Sequence, residues 1–255
     1  MTEQNKFVIG IAVYNGVDLM DVAAPYELFN WMASLESQYN PGAPVREVRA
    51  LSLDGSSVVT RDNLTVGADL PALTAPAPGD TDKIDLLWIP GGDPMRLEEL
   101  MLDEKAMDLL YAVGNDAQYV ASVCEGAMLA AASGLLDGYC ATTHWAFLPC
   151  LGLFPSITVK PGYPRYVIDG NRITGGGISS GIDEALAIIA LLSNDNVAGA
   201  VQLMVQYNPQ PQFHQGDPSQ ATPPVYTPGD GSTCSIPHMA ATIDKVITAR
   251  ESRRV

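Results

Sequence analysis

The sequence is poor in basic residues. Fourteen Lys and Arg stand against 29 Asp and Glu, for a formal net charge of −15 over 255 residues. Nucleic acid and anionic membrane surfaces both reward clustered Lys and Arg, so neither is expected as the main partner. The one locally basic stretch, residues 250–254, reads as a solvated helix end. Cysteine is also scarce. Cys124, Cys140, Cys150 and Cys234 form no C-x-x-C pair and no Cys/His spacing of the kind that holds a metal, so no metal centre is expected. No Walker loop is present, and Gly175-Gly176-Gly177 is too short for a dinucleotide fingerprint and precedes a helix without the usual acidic follower. No apolar run approaches the roughly 18 residues of a membrane span, and the polar opening lacks the form of a signal peptide. A cytoplasmic placement follows as an expectation. With it, the cysteines are read as free thiols, Cys140 and Cys150 being small buried hydrophobes.

What is present is apolar and patterned. Hydrophobic residues make up 47% of the chain and charged residues 17%, which suits a compact α/β domain and not a disordered chain. Residues 7–13 and 84–89 are continuous apolar runs, the signature of strands buried on both faces of a parallel sheet. Further strands are predicted over 45–53 and 119–123, with a polar hairpin over 58–66 and β-rich pieces at 157–160 and 165–168. Asp169-Gly170 reads as a hairpin turn. Helices are predicted from about residue 18 with Pro25 in the first turn, over 95–113, after Cys124, over 178–192, over 196–207 and over 237–252. Alternating strands and helices imply a doubly wound, mostly parallel sheet with helices on both faces. The boundaries drawn are an α/β domain over 1–207, then a Pro-rich arm and terminal helix over 208–255, packed on that domain or on a dimer partner.

The chain is organised around Ser122-Val123-Cys124-Glu125-Gly126, where an apolar strand passes abruptly into an Ala-rich helix. A cysteine at such a turn is held over the free N–H groups of a helix start, whose dipole favours a thiolate. Cys124 is therefore the candidate nucleophile. In doubly wound sheets, ligands bind outside the carboxyl ends of the strands, and Asp21, Gly91-Gly92 and Cys124 all follow strands there. The N–H of Glu125 and those of Gly91 and Gly92 are candidate oxyanion donors. Asp21, which could equally be a helix N-cap, is the first candidate proton carrier. His144 is the second, although a lone His beside an apolar helix is more often structural.

Several motifs together carry a resemblance: Asp21-Val22-Ala23-Ala24-Pro25, Ile89-Pro90-Gly91-Gly92, Ser122-Val123-Cys124-x-Gly126, Ala141-Thr142-Thr143-His144-Trp145 and Thr174-Gly175-Gly176-Gly177-Ile178. This set resembles the DJ-1/PfpI (ThiJ) superfamily, and within it the isocyanide hydratase branch. The resemblance implies a flavodoxin-like, class I glutamine amidotransferase-like fold and a homodimer without cofactor. It also implies attack of the cysteine on an isocyanide carbon, with Asp21 handling protons, and a small-molecule pocket near His144, Gly176 and Ile178. One departure is visible: that branch typically carries Thr after the nucleophile, where this chain has Glu125. An ionised Glu125 facing inward would raise the thiol pKa; protonated, it could act as the acid; turned outward, it would serve the helix start. The alternatives on the same elbow are glyoxalase-like or amidase-like chemistry and a redox sensor in which Cys124 is oxidised. A regulator is discounted because the acidic chain after the core is expected to be too short for a DNA-binding module.

Overall fold

The computed structural model describes residues 6–53, 55, 57–67, 70–80, 82–227 and 233–253. The chain opens with β1 (Lys6–Val13), then α1 (Leu19–Tyr39), β2 (Val45–Ser52) and a two-stranded hairpin, β3 (Val58–Val59) and β4 (Thr65–Val66). Next come β5 (Leu86–Ile89), α2 (Pro94–Leu102), α3 (Glu104–Asp116), β6 (Tyr119–Ser122) and α4 (Gly126–Ser133). The second half holds β7 (Cys140–Ala141), a single 3₁₀ turn at Trp145–Phe147, α5 (Leu148–Leu151), β8 (Thr158–Val159), β9 (Tyr166–Asp169) and β10 (Arg172–Gly175). It ends with α6 (Ser180–Leu192), α7 (Asp195–Met204) and α8 (Met239–Arg253).

The main sheet has the order β2-β1-β5-β6-β10-β9, parallel except for the β9–β10 hairpin at its edge. All four residues of β5 are buried, as are all of β1 after Lys6. These apolar runs have no solvent face because helices cover both sides. One layer is α1 with α6 and α7, and the other is α2, α3 and α4 with α8. The first layer is tied to the sheet by a buried pair: Arg46 on β2 donates to both carboxylate oxygens of Glu36 on α1 at 2.8 and 2.9 Å, and to the Leu192 carbonyl at the end of α6 at 2.8 Å. The chain leaves β1 toward β2 on one side and later crosses to β5 on the other. The crevice at the carboxyl ends of β1, β5 and β6 is thus a topological switch point, where such sheets bind ligands.

Four expectations are corrected. Pro25 lies in the interior of α1, as its seventh residue and not in its first turn. Asp21 is in the first turn but is not the cap, a position held by Asp18. The helix expected over 95–113 is two helices, because the Asp103 side chain accepts from the N–H groups of Lys105 and Ala106 and starts α3 anew. The cysteines are not all free thiols: Cys150 is bonded to Cys234 across 84 residues, leaving buried Cys124 and half-buried Cys140 as the free ones. Packing of the arm against α5 brings those two sulfurs together, a proximity that linear spacing does not encode. The arm has no helix or strand among its described residues. It is held by that bond and by edge-on packing of Tyr226 against Trp145, ring centroids 5.0 Å apart. Among the described residues, no helix is long and apolar enough to cross a membrane.

Candidate active site

The turn between β6 and α4 places Cys124 in the left-handed region at φ 55°, a conformation that costs a non-glycine residue on the order of 1–3 kcal/mol. Two neighbours hold it there. The Cys124 N–H donates to the Gly176 carbonyl at 2.7 Å, and the Cys124 carbonyl accepts from the Thr143 hydroxyl at 2.7 Å. Gly126 is required for space: a Cβ there would lie 2.1 Å from the Ile89 carbonyl oxygen. The result is a sharp strand-to-helix elbow at the carboxyl ends of the strands.

Around the sulfur stand three carboxyl groups. One ligand-type atom from each of Asp18, Asp21, Cys124 and Glu125 lies within 4.8 Å of the others, and all four residues are buried. Asp21 Oδ2 accepts from the Gly91 N–H at 2.9 Å, whereas Oδ1 has no hydrogen-bond partner among the described residues. Glu125 turns inward, with a carboxylate oxygen within 4.8 Å of the Cys124 sulfur, and its Oε2 is without a partner among the described residues. It makes no side-chain bond at the start of α4, which removes the outward orientation. A Cβ on Gly91 would meet Glu125 Oε2 at 2.6 Å and Asp21 Oδ2 at 2.9 Å, so both carboxyls converge on the bare Cα of that glycine. Asp18 pairs with Arg61 at 3.0 Å, and Arg61, from the turn between β3 and β4, is 37% exposed.

The electrostatics reverse one expectation. Burial, then the carboxyls of Asp21 and Glu125, push the Cys124 thiol far above its ordinary value. The dipole of a helix start contributes about 0.3–1 kcal/mol, too little against desolvation and three acids. The direction of the shift favours the protonated thiol and opposes the thiolate expected from the helix start. Burial also raises Asp21 and Glu125, and Asp18 despite Arg61.

The other predicted positions are distributed as follows. The Gly91 N–H is taken by Asp21, so it does not face an oxyanion as expected. Gly92 is walled by the Gly16 carbonyl and the Tyr14 hydroxyl. The Glu125 backbone nitrogen stays at the crevice, 2.8 Å from the point a Gly91 Cβ would occupy. His144 lies at the rim with its side chain 26% exposed; Nδ1 accepts from the Ala146 N–H at 3.3 Å and is 3.9 Å from Glu125 Oε1. Burial and then Arg61 hold its imidazole below the ordinary value, in the neutral form. Gly176 acts through its backbone on the elbow, and Ile178 is half-buried against the core.

Sequence reasoning missed Asp18, Arg61, Thr143 and Glu184. Thr143 was within reach, one residue before His144 in the same motif. Glu184, on α6, is fully buried with neither oxygen partnered among the described residues, and it abuts Gly175 on the strand beside the elbow. It occupies an apolar helix face, where nothing local marks it.

A doubly wound sheet with a strained cysteine elbow over buried carboxyls at its switch point defines a class of α/β proteins built around one buried thiol. The DJ-1/PfpI family profile matches residues 8–191, and the chain belongs to that family. It is 36% identical over 218 residues to an isonitrile hydratase of Pseudomonas putida, covering 84% of each chain. It is 26% identical over 205 residues to the HTH-type transcriptional regulator GbdR of Pseudomonas aeruginosa, covering 80% of this chain and 52% of the regulator. Among solved structures, a THiJ/PfpI family protein from Pseudomonas syringae superposes with a TM-score of 0.72 at 25% identity, over 98% of this chain and 90% of the other.

Proposed function

We propose that the protein hydrates small isocyanides to N-substituted formamides through a covalent bond to Cys124. The observation that carries this reading is the buried Cys124, held at φ 55°, with the inward-facing Glu125 and Asp21 carboxyls within 4.8 Å. The likeness to an isonitrile hydratase across 84% of the chain supports the substrate class.

Burial pushes the Cys124 thiol up, and attack from the thiol form requires its proton to leave as the carbon–sulfur bond forms. Glu125, in its ionised form, is the acceptor, with an oxygen within 4.8 Å of the sulfur. The sulfur attacks the terminal carbon of R–N≡C, and the proton passes through Glu125 to that carbon, giving the thioimidate R–N=CH–S. Asp21, with Oδ2 fixed by the Gly91 N–H and Oδ1 without a partner among the described residues, takes a proton from the incoming water. Water adds to the carbon, the thiolate leaves and is reprotonated, and the nitrogen gains a proton. The sum is R–N≡C plus water giving R–NH–CHO. The backbone N–H of Glu125 is placed to stabilise charge on the tetrahedral intermediate.

The test is formamide production from cyclohexyl or aryl isocyanide by the purified protein. Cys124→Ala abolishes it, and Glu125→Gln lowers kcat by roughly 100-fold or more, the range of a lost general base. Failure of the wild type to turn over a panel of such isocyanides overturns the reading.

A further inference from the structure

We infer that Tyr14 is a positioning residue for Asp21, acting through the peptide that joins Pro90 to Gly91. The inference deepens the hydration reading and rests on it for its kinetic consequence, because there Asp21 takes a proton from water. Tyr14 follows β1 and is fully buried. Its hydroxyl donates to the Pro90 carbonyl at 2.9 Å. The N–H of that same peptide belongs to Gly91 and donates to Asp21 Oδ2 at 2.9 Å. One planar group is thus held at both ends, with a phenol on its oxygen and a carboxyl on its hydrogen. Because the peptide is rigid, fixing the oxygen fixes the direction in which the N–H points.

The surrounding backbone leaves this peptide little freedom. The Asp18 N–H donates to the Gly91 carbonyl at 2.9 Å and the Asp93 N–H to the Gly16 carbonyl at 2.8 Å, so the segments after β1 and β5 are laced together on either side of it. Gly92 keeps room for the phenol. A Cβ there would lie 3.0 Å from the Tyr14 hydroxyl oxygen and 2.5 Å from the Gly16 carbonyl oxygen.

A phenol that only satisfied a buried carbonyl would be structural, but this one has a chemical consequence. A hydrogen bond on the peptide oxygen polarises the unit and strengthens its N–H as a donor, and a bond donated to a carboxylate favours the ionised form. Burial and the Asp18 charge raise Asp21, and the Gly91 N–H opposes them, as does Arg61 from the β3–β4 turn. Cys124 and Glu125 at the elbow and Glu184 on α6 are the other titratable groups that face Asp21. Burial and then the Asp21 charge hold the Tyr14 hydroxyl well above its ordinary value, so it stays protonated and remains a donor. Tyr14 therefore biases Asp21 toward the carboxylate that hydration needs.

The experiment follows the Gly91 amide by NMR in the full chain labelled with ¹⁵N-glycine, beside the pH profile of kcat for an isocyanide. In the wild type that amide titrates with Asp21, and Asp21→Asn abolishes the titration. Tyr14→Phe moves the amide proton upfield and raises the midpoint. The acid limb of kcat moves to higher pH with it, which lowers kcat on that limb about threefold while KM holds. Replacing the tyrosines by 3-fluorotyrosine, a stronger donor of nearly the same shape, moves the amide and its midpoint the opposite way, so the outcome does not hang on the folding of Tyr14→Phe. An amide and midpoint unmoved by both changes, or a kcat lowered equally at every pH, overturns the role. A wild type that leaves isocyanides unchanged while its Gly91 amide responds sinks the function and leaves the coupling of Tyr14 to Asp21 standing.

Discussion

Trp88 donates its indole N–H to the carbonyl of Asp21 at 2.9 Å. In a regular helix that carbonyl would accept from the residue four positions on, but that residue is Pro25, which has no N–H. The proline inside α1 thus frees the backbone of an acidic site residue, and a tryptophan on β5 holds it. Trp88→Phe leaves the buried carbonyl without a partner, at an expected cost of about 1–3 kcal/mol. Pro25→Ala restores an N–H at position 25, so the Trp88→Phe penalty shrinks in that background. Chemical denaturation of the four species gives the coupling energy; equal penalties in both backgrounds would refute the relationship.

Gly91 is the point on which Asp21 and Glu125 converge. Gly91→Ala places a Cβ 2.6 Å from Glu125 Oε2 and 2.8 Å from the Glu125 nitrogen. Displacement of the carboxyls by about an ångström is expected to lower kcat roughly 100-fold, with the circular dichroism spectrum unchanged. Retained activity would show that neither carboxyl position is critical.

Glu184 makes stability depend on pH in a set direction. Burial, then the Asp21 charge, raise its carboxyl well above the ordinary 4.5. A group raised in the folded state stabilises fully below its unfolded value, and that stability is lost as pH rises through the folded one. The melting temperature should therefore fall as pH increases from about 4.5. Glu184→Leu, which removes two unpaired buried oxygens, is expected to stabilise by about 1–3 kcal/mol and to flatten that fall. A pH-independent difference between variant and wild type would rule out the linkage. Asp18, Asp21 and Glu125 shift in the same direction and leave a residual slope in the variant.

The Cys150–Cys234 bond closes a separation of 84 residues. The chain-entropy relation puts its stabilisation between about 3 and 4.7 kcal/mol as an upper value. Denatured, unreduced protein should show two reactive thiols and reduced protein four, in keeping with Cys124 and Cys140 as the free pair. Cys234→Ser should lower the melting temperature and make it insensitive to reductant. Four thiols before reduction would exclude the bond.

Much of this protein was legible along the chain. The buried strands announced themselves as unbroken apolar runs, because a strand covered on both faces has no polar alternation to show. The elbow announced itself as the sudden change from a β-rich segment to alanine at Cys124. The motifs around Asp21, Gly91, Cys124 and Thr143-His144 marked the segments that meet at the switch point. Local chemistry could not reveal what arises when distant segments meet. Arg61 reaches Asp18 only because the β3–β4 turn folds back over the start of α1, and Cys234 reaches Cys150 only through the path of the arm. The upward shift of the Cys124 thiol was likewise decided in three dimensions. A helix dipole can be read from sequence order, but desolvation and the sum of three converging carboxyls depend on burial and distance, and at this site they outweigh it.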